Sequence, residues 1–114
     1  MDDEKEIRWI GSSYEDLLKF PDEPRKQAGF QLGRVQAGLE PENWKPLNEV
    51  GAGVKEIRLR YGDGAYRVMY LAKFEEAIYV LHCFQKKTEA TTKRDKEVAE
   101  VRYKAVIRER PPRQ

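Results

Sequence analysis

The stretch "VKEIRLRYGDGAYRVMYLAKF" (residues 54–74) constrains the fold of this chain more than any other. Two runs that alternate with period two flank Gly62-Asp63-Gly64, and that spacing reads as a β-hairpin. With Asp63–Gly64 as the two-residue loop, Tyr61 faces Tyr66, Leu59 faces Val68 and Ile57 faces Tyr70. Arg60 then faces Arg67, and Arg58 faces Met69. One hairpin face is apolar and aromatic, and the other exposes three arginines. A slip of one residue would mix the two sets, because successive strand side chains point to opposite faces. "EEAIYVLHCF" follows as a third strand, apolar enough to be buried on much of both faces. Alternation places Tyr79, Leu81 and Cys83 on one side of it, and Ile78, Val80, His82, Phe84 and Lys86 on the other.

The remaining elements are read around this meander. "EIRWIG" is a short strand. "SSYEDLLKFP" is a helix, with Ser12 as cap, Glu15 completing a capping box and Pro21 as stop. Asp22 caps a second helix with Pro24 in its first turn. Ala28, Leu32, Val35 and Leu39 mark its buried face, and Gly38 and Pro41 end it. Gly29 and Gly33, four residues apart, leave room for another element to approach. "EPENWKPLNEVGAG" is a loop pinned by Trp44 and Leu47. "TEATTKRDKEVAEVRYKAVIRER" is a final helix capped by Thr91 or Thr92, with Val98, Val101 and Ala105 along one face and a frayed tail from Arg110. The order β-α-α-β-β-β-α predicts one α+β domain over residues 1–114, its helices covering one face of an antiparallel sheet.

Charge and composition narrow the function classes. The 114 residues carry a formal net charge of +2, unevenly spread. Residues 1–54 hold 7 Lys/Arg against 11 Asp/Glu, a net of −4, and residues 55–114 hold 15 against 9, a net of +6. A basic half of this kind suits a phosphate-bearing or acidic partner, unless the two halves interleave in space. One Cys excludes an internal disulfide, and one His excludes a multi-histidine zinc site, so neither metal nor cofactor is expected. The acidic start "MDDEKEIRWIG" is unlike a signal peptide and no apolar run approaches membrane-spanning length, which points to the cytoplasm and away from the membrane. There is no Gly-rich phosphate loop, paired-cysteine motif or serine elbow. His82 and Cys83 are adjacent on a strand and point apart, so they do not form a nucleophilic pair.

What is left is a cationic set: Arg58, Arg60, Arg67, His82, Lys86 and Lys87, with Phe84 beside it. Guanidinium groups bind phosphate through two parallel hydrogen bonds, lysine adds point charge, and an aromatic face stacks a base. Solvated arginines, lysines that protect a sheet edge and a structural histidine are the plain alternatives.

"GVKEIRLR", "YRVMY" and "YVLHCFQKKTEAT" resemble segments of the phage-derived, HigB-like branch of the RelE/ParE toxin superfamily, and "SSYEDLLKFP" and "LEPENWKPL" fit that branch. The similarity runs from about Ile7 to Ile107. It implies a RelE/ParE-like fold and the toxin of a type II toxin–antitoxin pair, an mRNA interferase that enters the ribosome and cleaves messenger RNA without a metal. It also implies a cognate antitoxin, commonly with a helix-turn-helix DNA-binding domain. By motif, Arg58 matches the "EIR" arginine, Arg67 the "YR" arginine, and Lys86 and Lys87 the "FQKK" lysines. Arg67, Lys86, Arg58 and His82 are the candidate catalytic residues, with His82 or Lys86 as base. Lys87, Phe84, Arg60, Lys55 and Arg94 are the candidate RNA contacts, and Glu56 is read as an ion-pair partner on the arginine face. The alternatives are a toxin that inhibits DNA gyrase without cleavage, and an inactive homologue that only binds antitoxin.

Overall fold

The computed structural model describes residues 4–87 and 91–110. The elements run β1 (Glu6–Trp9), α1 (Ser13–Leu18), α2 (Asp22–Gln36), β2 (Trp44–Pro46), β3 (Val54–Tyr61), β4 (Gly64–Leu71), β5 (Ala77–Lys86) and α3 (Lys93–Glu109). The α+β class holds, with two differences from the sequence reading. The loop around Trp44 contains a short edge strand, β2, which pairs Lys45 with Glu56. The five-stranded sheet, in the order β1-β5-β4-β3-β2, is mixed rather than antiparallel, because β1 runs parallel to β5. A chain that leaves β1 through two helices and the whole meander can return to β1 in the same direction, and no hairpin constrains that pairing.

The hairpin turns one residue earlier than expected. Tyr61 pairs with Gly64 across a Gly62–Asp63 loop, and Gly62 has φ +58°. A two-residue turn that twists with its strands needs positive φ at its first position, and glycine adopts it without a Cβ clash. Arg58 therefore faces Arg67, and Leu59 faces Tyr66. The shift changes partners by two residues, the strand period, so each side chain stays on its expected face.

Helices cover both faces of the sheet, not one. Leu17, Phe20, Ala28, Leu32 and Val35 from α1 and α2 pack on Ile57, Leu59, Tyr66, Val68, Tyr70, Ile78 and Val80. Ala99 and Val106 of α3 pack on the other face with Met69, Leu71, Tyr79, Leu81 and Phe84. A final strand that is apolar on both sides requires this second cover. Val101, expected on the buried face of α3, is exposed; the inward stripe is instead Asp95, Ala99, Arg102, Tyr103 and Val106, the last four at helical spacing from the first. Leu39 is likewise exposed, since α2 ends before it at Gly38, whose φ is +87°. Beside Gly29 and Gly33 nothing lies within 4 Å of an added Cβ, so among the described residues no element uses the space they leave.

The caps divide. Thr92 Oγ1 accepts from the Asp95 amide at 3.1 Å and starts α3. Ser12 makes no cap bond and no box with Glu15; its hydroxyl donates to Asp16 at 2.8 Å and accepts from Arg102 at 3.0 Å. Pro21, not Asp22, is the cap residue of α2. Arg110 is held by Glu76 at 2.7 Å and lies over the Phe74 ring, while the tail expected to fray beyond it falls outside the described residues.

Candidate functional site

One irregularity in β5 decides what faces the cations. Met69 pairs with His82 but Tyr70 pairs with Val80, so Leu81 is an extra residue. Such a bulge reverses the alternation beyond it. Ile78 and Val80 pack towards α1 and α2, and so does Cys83; His82, Phe84 and Lys86 point to the opposite face. Strict alternation could not produce that division. Arg102 Nη1 donates to the Leu81 carbonyl at 2.9 Å and satisfies the acceptor that the bulge displaces. Burial pushes the Cys83 thiol up, so it stays protonated and inert.

Strand registers lay the far face out as rows. The first is Lys45–Glu56–Met69–His82, the second Arg58–Arg67–Phe84, the third Arg60–Ala65–Lys86. The start of α3 and the two threonines before it meet the His82 row. His82 Nε2 meets Asp95 Oδ1 at 2.8 Å, Thr92 Oγ1 donates to the other Asp95 oxygen at 2.6 Å, and Thr91 Oγ1 donates to Glu56 Oε2 at 3.2 Å. Among the described residues, no hydrogen bond joins α3 to the four cations of the last two rows.

Burial grades these cations. Arg60 and Lys87 are exposed, Arg58 and Lys86 half-buried, and Arg67 only 3% exposed. The expectation of an exposed Arg67 is therefore corrected. Its Nε lies 3.8 Å from Oε1 of Glu56, which is fully buried, and its Nη1 donates to the Tyr66 carbonyl at 3.1 Å. Among the described residues, neither Nε nor Oε1 has a hydrogen-bond partner. Attraction across the gap holds the guanidinium in place and leaves part of its donor fork uncommitted. Desolvation lowers the Arg67 pKa, with Arg58 and Arg60 adding to the effect and Glu56 opposing it; arginine stays charged regardless.

Lys86 also has its pKa lowered, first by desolvation and then by Arg67, with Arg58 and Lys45 contributing and Glu56 opposing. Across the sheet it faces Arg60 with Ala65 between them. Two strand spacings separate their Cα atoms by about 10 Å, with only the Ala65 methyl between them. Phe84, in the row behind, stacks on His82 at 4.9 Å with a 20° tilt. His82 is enclosed: Nε2 is engaged by Asp95, and Nδ1 is buried with no partner among the described residues.

The remaining candidates fall elsewhere. Lys55 lies on the α1/α2 side, bound to Glu40 at 2.8 Å and lying over Trp44, away from the rows. Arg94 is exposed in the first turn of α3. Three participants were absent from the sequence reading. Lys45 was placed in a loop but sits opposite Glu56; Asp95 was overlooked as one helix charge among many; Ala65 matters through its small size. Only Asp95 left a local signal, three residues after a capping threonine.

The model of the family described as Phage derived protein Gp49-like (DUF891) matches residues 15–104. The chain belongs to the Gp49-like family. This family lies in the RelE/HigB-like group of toxin–antitoxin toxins. The matched span includes every row residue and the first turn of α3. No curated protein matches the chain. Among the described residues of this Gp49-like chain, no helix is long and apolar enough to cross a membrane.

Proposed function

We propose that this Gp49-like chain is a toxin that cleaves messenger RNA in the ribosomal decoding site, by attack of a ribose 2′-oxygen on the adjacent phosphate. The observation that carries this reading is the row Arg60–Ala65–Lys86, in which a small residue separates two cations and leaves a trough for the phosphate, with Arg67 one row behind. RNA phosphate enters the trough and is gripped by the Arg60 and Arg67 guanidinium groups. Neutral Lys86 takes the 2′-hydroxyl proton, and the lowered pKa raises the fraction able to do so. As the 2′-oxygen bonds to phosphorus, charge on the equatorial oxygens is met by Arg67, whose position costs no reorganisation. The bond to the 5′-oxygen breaks, and that oxygen leaves with a proton from water, giving a 2′,3′-cyclic phosphate and a 5′-hydroxyl. Phe84 supports the site from behind, and His82 ties it to α3 through Asp95. DNA lacks the attacking hydroxyl and is not a substrate. A cognate antitoxin, carrying acidic groups to the same cations, restrains the toxin between uses.

Induced expression followed by mapping of messenger-RNA ends tests the reading. Codon-phased cuts confined to translated regions support it. Intact transcripts with accumulated gyrase–DNA cleavage complexes overturn it in favour of gyrase inhibition.

A further inference from the structure

Beyond the trough, the free edge of β3 and one side of α2 enclose a second groove of about 380 Å³, shared by Phe30, Gln27, Asn43, Arg58 and Arg60. We infer that this groove is a subsite for one unpaired nucleotide of the RNA strand, with Phe30 stacking its base and Arg58 and Arg60 holding the phosphate that links it to the trough. The inference rests on the RNA reading above and extends it to a site outside the reacting rows.

Phe30 is 60% exposed on a helix that buries its other apolar side chains, so it does not serve the core. Its i+3 neighbour is Gly33, where no atom comes within 4 Å of an added Cβ, so the ring is left uncovered on that side. The opposite wall is built from β3. Pairing with β2 ends at Ile57, Arg58 N donates to the Asn43 carbonyl at 2.8 Å, and among the described residues the edge beyond, at Arg60, has no strand beside it. Gln31 fixes the rim, donating to the Glu42 carboxylate at 2.9 Å and accepting from the Glu42 amide at 2.8 Å. The first of these bonds engages one oxygen of the Glu42 carboxylate; with Glu23 that carboxylate sets two negative charges against Lys26, Arg58 and Arg60, so the lining carries a net positive charge. An aromatic platform, guanidinium groups on one side and the free amide of Gln27 together suit a nucleotide; a purely apolar ligand would leave them unpaired. The site joins the trough through Arg60, which lines the groove and stands opposite Lys86 across Ala65, while Arg58 lines the groove and pairs across strands with Arg67.

The test uses the purified chain and a six-nucleotide 2′-O-methyl RNA, which binds but lacks the attacking hydroxyl. Phe30→Ala is expected to weaken binding about tenfold, since stacking on an aromatic side chain carries that much per base. Phe30→Trp restores it. Because stacking involves no charge, Phe30→Ala leaves the salt dependence unchanged, whereas Arg60→Ala reduces the slope of log affinity against log salt by about 0.7. Binding by Phe30→Ala within twofold of the wild type overturns the subsite, as does loss of antitoxin binding with RNA affinity retained, which would make the groove a protein interface. Codon-phased cleavage in cells that is as efficient in Phe30→Ala as in the wild type overturns the subsite alone. Absence of any cleavage by the wild type, with the Phe30 effect on RNA binding intact, overturns the cleavage reading and leaves the subsite standing.

Discussion

Replacing Arg67 with alanine is expected to damage the fold before it reports on catalysis. Arg67 and Glu56 are both nine-tenths or more buried, 3.8 Å apart, and among the described residues the other partner of the Glu56 carboxylate is the Thr91 hydroxyl. Removing one member of a buried pair strands the other charge at a cost of about 3–5 kcal/mol. A domain of this size has a total stability of about 5–15 kcal/mol, so the loss is a large fraction of the whole. With a urea slope of about 2 kcal/mol per molar, the unfolding midpoint should fall by about 2 M. The assay is urea unfolding of the wild type, Arg67→Ala, Glu56→Leu and the Glu56→Leu/Arg67→Met double variant. The double variant should recover most of the loss, because an apolar pair of similar size removes the stranded charge. Toxicity is then read on Arg67→Lys, which keeps the charge and loses the planar fork. A midpoint for Arg67→Ala within 0.3 M of the wild type, a threshold set on the order of extrapolation error, would refute the reasoning, because it would mean that Glu56 is not stranded.

Three further outcomes are expected. Lys86→Ala and Lys86→Arg should both abolish messenger-RNA cleavage, since arginine keeps the charge but cannot act as base, while Lys87→Ala only weakens it; end mapping after induction distinguishes them. The Arg110 guanidinium, and secondarily the Tyr79 hydroxyl, depress the Glu76 pKa to about 2, so the stability this carboxylate contributes is present above its ordinary value near 4.5 and is lost as pH falls towards 2; denaturant midpoints of wild type and Glu76→Gln should converge across that window. Thr92→Ala removes both the α3 cap and the hydrogen bond that orients Asp95, and should cost about 1 kcal/mol of stability, read by thermal or urea unfolding.

The sequence was most informative where geometry is local. Period-two alternation through residues 54–71 assigned every side chain of the hairpin to its correct face even with the loop placed one residue late, because the resulting error equals the strand period. Thr92 was legible as a cap because capping depends on a residue type and its immediate neighbours. The ion-pair role of Glu56 was legible too, from its place on the same hairpin face as the arginines.

What tertiary structure alone decided begins at Leu81. A bulge depends on how β5 meets β4, and nothing in "YVLHCF" marks the extra residue, yet that residue brings His82, Phe84 and Lys86 onto the arginine face while Val80 and Cys83 stay on the other. The parallel pairing of β1 with β5, the second helical cover by α3 and the burial of Arg67 arise in the same way, from contacts between residues far apart in the chain. Residue type and spacing determined which side chains can bind a phosphate; packing between distant segments determined which of them meet, because burial and register are properties of pairs of elements and not of either one alone.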